Sequence, residues 1–179
     1  ALALARVVMV RLQDSLARRS TAAGAACVVV LPLSPGEPEA FASRLAAALS
    51  IHGDALHLTE GRTEGLLGSP LYDERGAPRG TALRFLGELE EEHRFLVYDA
   101  PGRDTPFTRL ALGQADRIVL VAEAADDPAP RPFETLLPRG AFAPEVELVL
   151  LGSSPSGTAR WLVGRELKRH HLAAPGPTA

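Results

Sequence analysis

The chain has 179 residues, 46% of them hydrophobic and 23% charged, and a formal net charge of −3. That length suits one domain with a sizeable core, the composition excludes a disordered chain, and the charge gives no reason to expect nucleic acid as a partner. A lone cysteine, Cys27, excludes an internal disulfide, and no apolar run approaches the roughly 18 residues that a membrane-spanning helix needs.

Leu2, Ala5, Met9, Leu12 and Leu16 recur at steps of three and four, which predicts a helix over residues 1–20 with one apolar stripe. Arg18, Arg19 and Ser20 end it, and residues 21–26 form a small-residue connector. Three readings of the stripe stand side by side: packing on its own domain, a linker helix arriving from a preceding domain, or one side of a homodimer seam. A chain that opens at Ala1 in helical sequence reads as a piece of something longer.

Cys27 to Leu31 is an apolar run too short for a globular helix and is expected to be a central strand, with Cys27 a core thiol. It ends in Pro32-Leu33-Ser34-Pro35-Gly36-Glu37-Pro38-Glu39. Pro38 suits a first helical turn, and Phe41, Leu45, Ala48 and Leu49 give the buried stripe of a helix ending near 50–53. Ala55 to Leu58 is a short second strand. His52 and His57 beside it lack a second ligand at metal spacing and read as core or surface histidines. Residues 61–80 are irregular and glycine-rich, with a helical turn around Glu64 to Leu67, and suit a mobile loop better than a binding lid. Thr81 to His93 is an amphipathic helix with Leu83, Leu86 and Leu89 expected inward and its glutamates on a solvated face.

Phe95 to Tyr98 is a buried strand stopped by Asp99, and Ala-Pro-Gly-Arg-Asp follows it at what should be the carboxyl edge of a sheet, where open α/β folds place ligands. Thr105 caps a helix with Pro106 in its first turn and Phe107, Leu110, Ala111 and Gln114 at helical spacing. Ile118 to Ala122 is the next buried strand, so the run is a parallel βαβ unit. Strand, Asp-x-Pro-Gly, helix, Gln-Ala-Asp, strand and acidic-Pro loop together resemble the second half of a ParA/MinD-type P-loop ATPase. That resemblance implies a phosphate loop after the first strand, with the strand-end Asp serving metal and nucleotide.

A working phosphate loop needs glycines whose N–H groups close on phosphate, a lysine, and a Ser/Thr for magnesium. The loop at 32–39 offers prolines and acids, and the chain's one lysine is Lys168. The reading is therefore a retired nucleotide site: no catalytic residue, no cofactor and no metal are expected. Were a ligand still to bind, Ser34, Gly36, Asp99, Gly102 and Asp104 are the residues placed to hold it.

A Pro-rich loop after Asp127 leads to a short helix around Phe133 to Leu137, and Val146 to Leu151 is a fifth strand. Gly152 to Gly157 fails the G-x-S-x-G nucleophile spacing, because Ser156 stands where glycine is required, and Ser156 or Thr158 is expected to cap a last helix running to His170. On that helix His170 and His171 would splay apart. The remote alternative, a metal-dependent phospho-acceptor built on Asp99, Asp104, Asp126 and Asp127, is weakened by Lys168 lying in that helix. The expectation is thus one α/β domain over residues 27–172, three-layered and Rossmann or P-loop-like. Its mainly parallel sheet of about five strands has the order 2-3-1-4-5, and a tail covers 173–179.

E-E-H-R at 91–94, Asp99 with T-P-F-T at 105–108, Q-A-D at 114–116 and T-x-x-W-L at 158–162 occur in the order seen in the neuropathy target esterase family, and the chain resembles its middle region. The resemblance implies a non-catalytic regulatory or connecting domain between cyclic-nucleotide-binding-like domains and a patatin-type phospholipase domain, which would be its partners. It also implies a cytoplasmic setting and a membrane-associated parent. A module that binds a nucleotide or another small ligand at the old phosphate-loop edge is the alternative.

Overall fold

Ala26–Pro32 forms strand β1, apolar along its length and buried on both faces, and that double burial is why no hydrophobic alternation is visible in it. The computed structural model describes residues 25–152 and 155–173. The expected helix over 1–20 lies outside them, as does the tail beyond residue 173. After β1 come a 3₁₀ turn at Glu37–Ala40, α1 (Phe41–Leu49), β2 (Ala55–Leu58), α2 (Glu60–Leu67), α3 (Gly80–Glu92), β3 (Phe95–Asp99), α4 (Pro106–Gln114) and β4 (Arg117–Glu123). A second 3₁₀ turn at Pro132–Leu136, β5 (Glu145–Leu151), α5 (Pro155–Leu162) and β6 (Arg169–Ala173) complete the order.

The six strands make one parallel sheet in the order β2-β3-β1-β4-β5-β6, flanked by helices as in a three-layer Rossmann or P-loop-like fold. The order expected for five strands is present within it. The sixth is a correction. The last helix stops at Leu162 and does not run to His170. Gly164 turns the chain at a φ of 75°, and Lys168 N–H donates to Val146 O as the chain joins β5 as an edge strand. His170 and His171 therefore point to opposite faces of a strand, and His171 is buried where a helical pair would be splayed to solvent. The helix begins at Pro155, which puts Ser156 and Thr158 inside its first turn and not at its cap.

Two apolar clusters fill the layers. On one face Leu86, Leu89, Phe107, Leu110, Phe133 and Trp161 pack against Val29, Leu31, Tyr98, Leu120 and Leu148. On the other, Phe41, Leu45 and Leu49 pack against Val28, Val30, Val97 and Val119. Each fully buried Leu or Phe contributes about 1.5–3 kcal/mol. In α3 the inward residues are Ala82, Leu86 and Leu89, while Leu83 is 45% exposed. Spacing of three and three drifts off a 100° face, whereas four and three stays on it.

A cleft at the carboxyl edge of the sheet

The turns after β1 and β3 meet at the topological switch point, where β1 sits between β3 and β4. There they border a cleft of about 640 Å³, with Ser34, Glu39, Thr59, Glu60, Asp99, Arg103 and Arg131 among its lining residues. Of the five residues picked from the sequence, Ser34, Asp99 and Gly102 line it. Gly36 is on the exposed turn beyond, at a φ of 91°. Asp104 does not line the cleft; its carboxylate accepts from Arg109 in a two-pronged pair, Nε to Oδ1 and Nη2 to Oδ2, both at 2.7 Å. That hydrogen bond holds the Asp104 carboxyl below the usual range.

Among the described residues the loop after β1 is anchored by contacts within the chain. Leu33 N–H donates to Val121 O at 2.7 Å, and the buried Ser34 Oγ accepts from Glu123 N–H at 3.1 Å. Arg131 reaches in from the Pro-rich loop after β4 and donates from Nε to Leu33 O at 3.0 Å and from Nη2 to Asp127 O at 3.3 Å. A phosphate loop turns N–H groups inward; here a carbonyl takes an arginine of the same chain. Opposite it, the chain after β3 presses directly on β1. A Cβ built on Gly102 would come within 1.9 Å of Pro32 O, so only glycine fits that approach. Thr108 Oγ1, donating toward Pro101 O at 3.1 Å or Arg103 O at 2.8 Å, and the Thr105 cap on Thr108 N–H fix this turn.

Asp99 is committed as well. Its Oδ2 meets His57 Nε2 at 2.9 Å across β3 and β2, with both side chains about one-fifth exposed. A carboxylate that orients an imidazole needs a nucleophile or substrate to act on. Both hydroxyls that line the cleft already serve backbone N–H groups, Ser34 for Glu123 and Thr59 for Arg62 at the α2 cap. Among the described residues no group of three His, Cys, Asp or Glu side chains stands together to hold a metal. Sequence reading took His57 for a core or surface histidine and gave Arg103 and Arg131 no role at the cleft. His57 pairs with Val97, two residues before Asp99 and so on the same face of the sheet, a register that the sequence alone did not show. For Arg131 the signal was the spacing Arg-Pro-Phe-Glu, in which Glu134 Oε1 accepts from Arg131 N–H at 2.6 Å.

The model of the neuropathy target esterase family P-loop like domain matches residues 25–177. The chain belongs to that family. It is 36% identical over 150 residues to patatin-like phospholipase domain-containing protein 7 of Mus musculus, covering 81% of this chain and 11% of that protein. It is 32% identical over 154 residues to lysophospholipase NTE1 of Candida glabrata, covering 80% and 9%. Patatin-like phospholipase domain-containing protein 6 of Homo sapiens is 31% identical over 156 residues, covering 84% and 11%. The chain thus spans about a tenth of the length of these curated relatives. No solved structure matches. Among the described residues of this family member no helix is long and apolar enough to cross a membrane.

Proposed function

We propose that this domain is a catalytically silent connecting or regulatory module of a larger patatin-like phospholipase or esterase that also carries cyclic-nucleotide-binding-like domains. The observation that carries the reading is the closure of the phosphate position by the protein itself. Arg131 occupies the Leu33 carbonyl, and Gly102 lies against Pro32 O. A triphosphate would need that carbonyl turned away and several amide donors turned in, and the loop's own hydrogen bonds oppose both changes. The relatives' names, patatin-like phospholipase and lysophospholipase, support the parent activity, while this chain contains no G-x-S-x-G serine. We assign the domain to the cytoplasmic side of a membrane-associated parent, with the neighbouring domains as partners.

The 640 Å³ cleft favours a second reading, in which a small ligand contacts Ser34, Gly102 and Asp99 without hydrolysis. Calorimetric titration of the chain with ATP and with GTP, each with magnesium, decides between them. The silent reading expects no saturable heat, and saturable micromolar binding would overturn it.

A further inference from the structure

The connection between β4 and β5 and the one between α5 and β6 border a second cavity, of about 260 Å³, on the face of the sheet that carries α3, α4 and α5. Pro130, Pro132 and Pro138 stiffen the first connection, and Gly164 turns the second at a φ of 75°. Leu120 and Val146 are buried at the base of the cavity, and Leu137 and Leu167 line it half-buried. Thr135, Arg139, Gly164 and Glu166 are exposed, so it opens to solvent between them. Among the described lining residues it shares only Arg131 with the cleft at the carboxyl edge.

Five charged side chains are among the described residues that line this cavity, and three of them are committed to the chain itself. Arg131 donates to Leu33 O and Asp127 O. Glu134 and Arg165 pair with each other, and the remaining Arg165 nitrogen serves Pro128 O and Trp161 O. Arg139 and Glu166 differ. They come from separate connections, both are exposed, and the side chain of neither makes a hydrogen bond or ion pair among the described residues. The mouth of an apolar cavity thus carries one uncommitted cation and one uncommitted anion. A simple anion or cation there would meet one opposite and one like charge, whereas a zwitterion answers both. The volume lies just under the roughly 300–1,000 Å³ of pockets for drug-sized ligands, which suits a molecule of amino-acid size.

We propose that this cavity binds a free apolar α-amino acid, with its side chain on Leu120, Leu137, Val146 and Leu167, its carboxylate on Arg139 and its ammonium group on Glu166. Burial of the ligand side chain removes apolar surface of both partners from water, and the two charged ends fix its orientation. The Arg165–Glu134 pair and the prolines hold the wall in place before any ligand arrives, which lowers the ordering cost of binding. The inference goes beyond the connecting or regulatory reading and does not rest on the cleft at the carboxyl edge being silent.

The test titrates the 179-residue chain calorimetrically with L-leucine, glycine, L-leucinamide and N-acetyl-L-leucine, and repeats the series with Arg139→Gln and with Glu166→Gln, both at exposed positions. Leucine is expected to bind saturably with a Kd of about 1 mM or tighter, and each of the other three at least about tenfold more weakly. Arg139→Gln should remove the preference for leucine over leucinamide, and Glu166→Gln the preference over N-acetyl-leucine, each leaving the other preference in place. Leucine that fails to bind, that binds no better than the three analogues, or that keeps both preferences in both variants would overturn the proposal. So would tighter binding of glycerophosphocholine, which would make the ligand a zwitterionic lipid headgroup.

Discussion

Arg165 grips Glu134 with both arms of its guanidinium, Nε to Oε2 at 2.7 Å and Nη2 to Oε1 at 2.9 Å, and both side chains are largely buried. Its remaining nitrogen, Nη1, donates to Pro128 O and Trp161 O at 2.9 Å, and the cation stands 5.2 Å from the Trp161 ring centre. One side chain thus joins the Pro-rich loop, the turn at Pro132–Leu136 and the end of α5. Glu134→Ala is expected to lower stability by about 3–5 kcal/mol, because it leaves a buried cation unpaired. Glu134→Leu combined with Arg165→Met should cost less than the single change. Urea unfolding checks this, and a double variant weaker than the single would refute it.

Gly102→Ala should destabilise by about 1–3 kcal/mol, since the new methyl meets the Pro32 carbonyl of the backbone, which cannot rotate aside as a side-chain end would. Gly61 provides the opposite sign. It sits inside α2 with open space around its Cα, so Gly61→Ala should stabilise by about 0.5–1 kcal/mol. Thermal melts of the two variants are predicted to move in opposite directions.

Burial alone would raise the Glu147 carboxyl, but the hydrogen bond from His171 and the charges of Arg117, His171 and Arg169 outweigh it and hold the group below the ordinary carboxylate range. Its folded pKa is below its unfolded one. The stabilisation is therefore fully present above the unfolded value of about 4.3 and is lost as pH falls through the depressed folded value. Glu147→Gln should flatten the acid limb of the stability profile and destabilise the domain at neutral pH. An unchanged acid limb would count against this.

Glu90 behaves in the reverse sense. Burial pushes its carboxyl up, the Cys27 thiol hydrogen bond at 3.7 Å pulls it down, and the Asp116 charge adds to the rise. A raised folded pKa means that stability is greatest below the unfolded value and declines as pH climbs through the folded one. Glu90→Gln should accordingly gain stability at pH 8 relative to wild type and show no gain at pH 4, measured by paired melts.

The buried parallel strands were legible because apolar runs of five or so residues between turn signals leave little choice of structure, and the Asp99 turn located the carboxyl edge. β6 was not legible: Arg169, His170 and His171 carry no apolar run, and their fold depends on hydrogen bonds to β5 and on the Glu147 partner. Leu162 and Leu167 also happen to fall near helical spacing, while Gly164, which ends the helix, sits between them without an accompanying proline. At the cleft, the residue types that signal chemistry were visible, but their partners were not. Ser34, Asp99 and Asp104 are taken up by Glu123, His57 and Arg109, and for two of these three the partner lies far along the chain.

The central position of β1 sets the order in which the molecule can be made. Its neighbours are β3 and β4, so this apolar strand leaves the ribosome before either of its partners and has no strand to pair with until residue 99, nor a second one until residue 123. Contacts this distant in sequence are slow to form and leave an aggregation-prone segment exposed meanwhile. Nascent chains halted before residue 95 should engage chaperones through β1, and release of that hold should coincide with synthesis of β4.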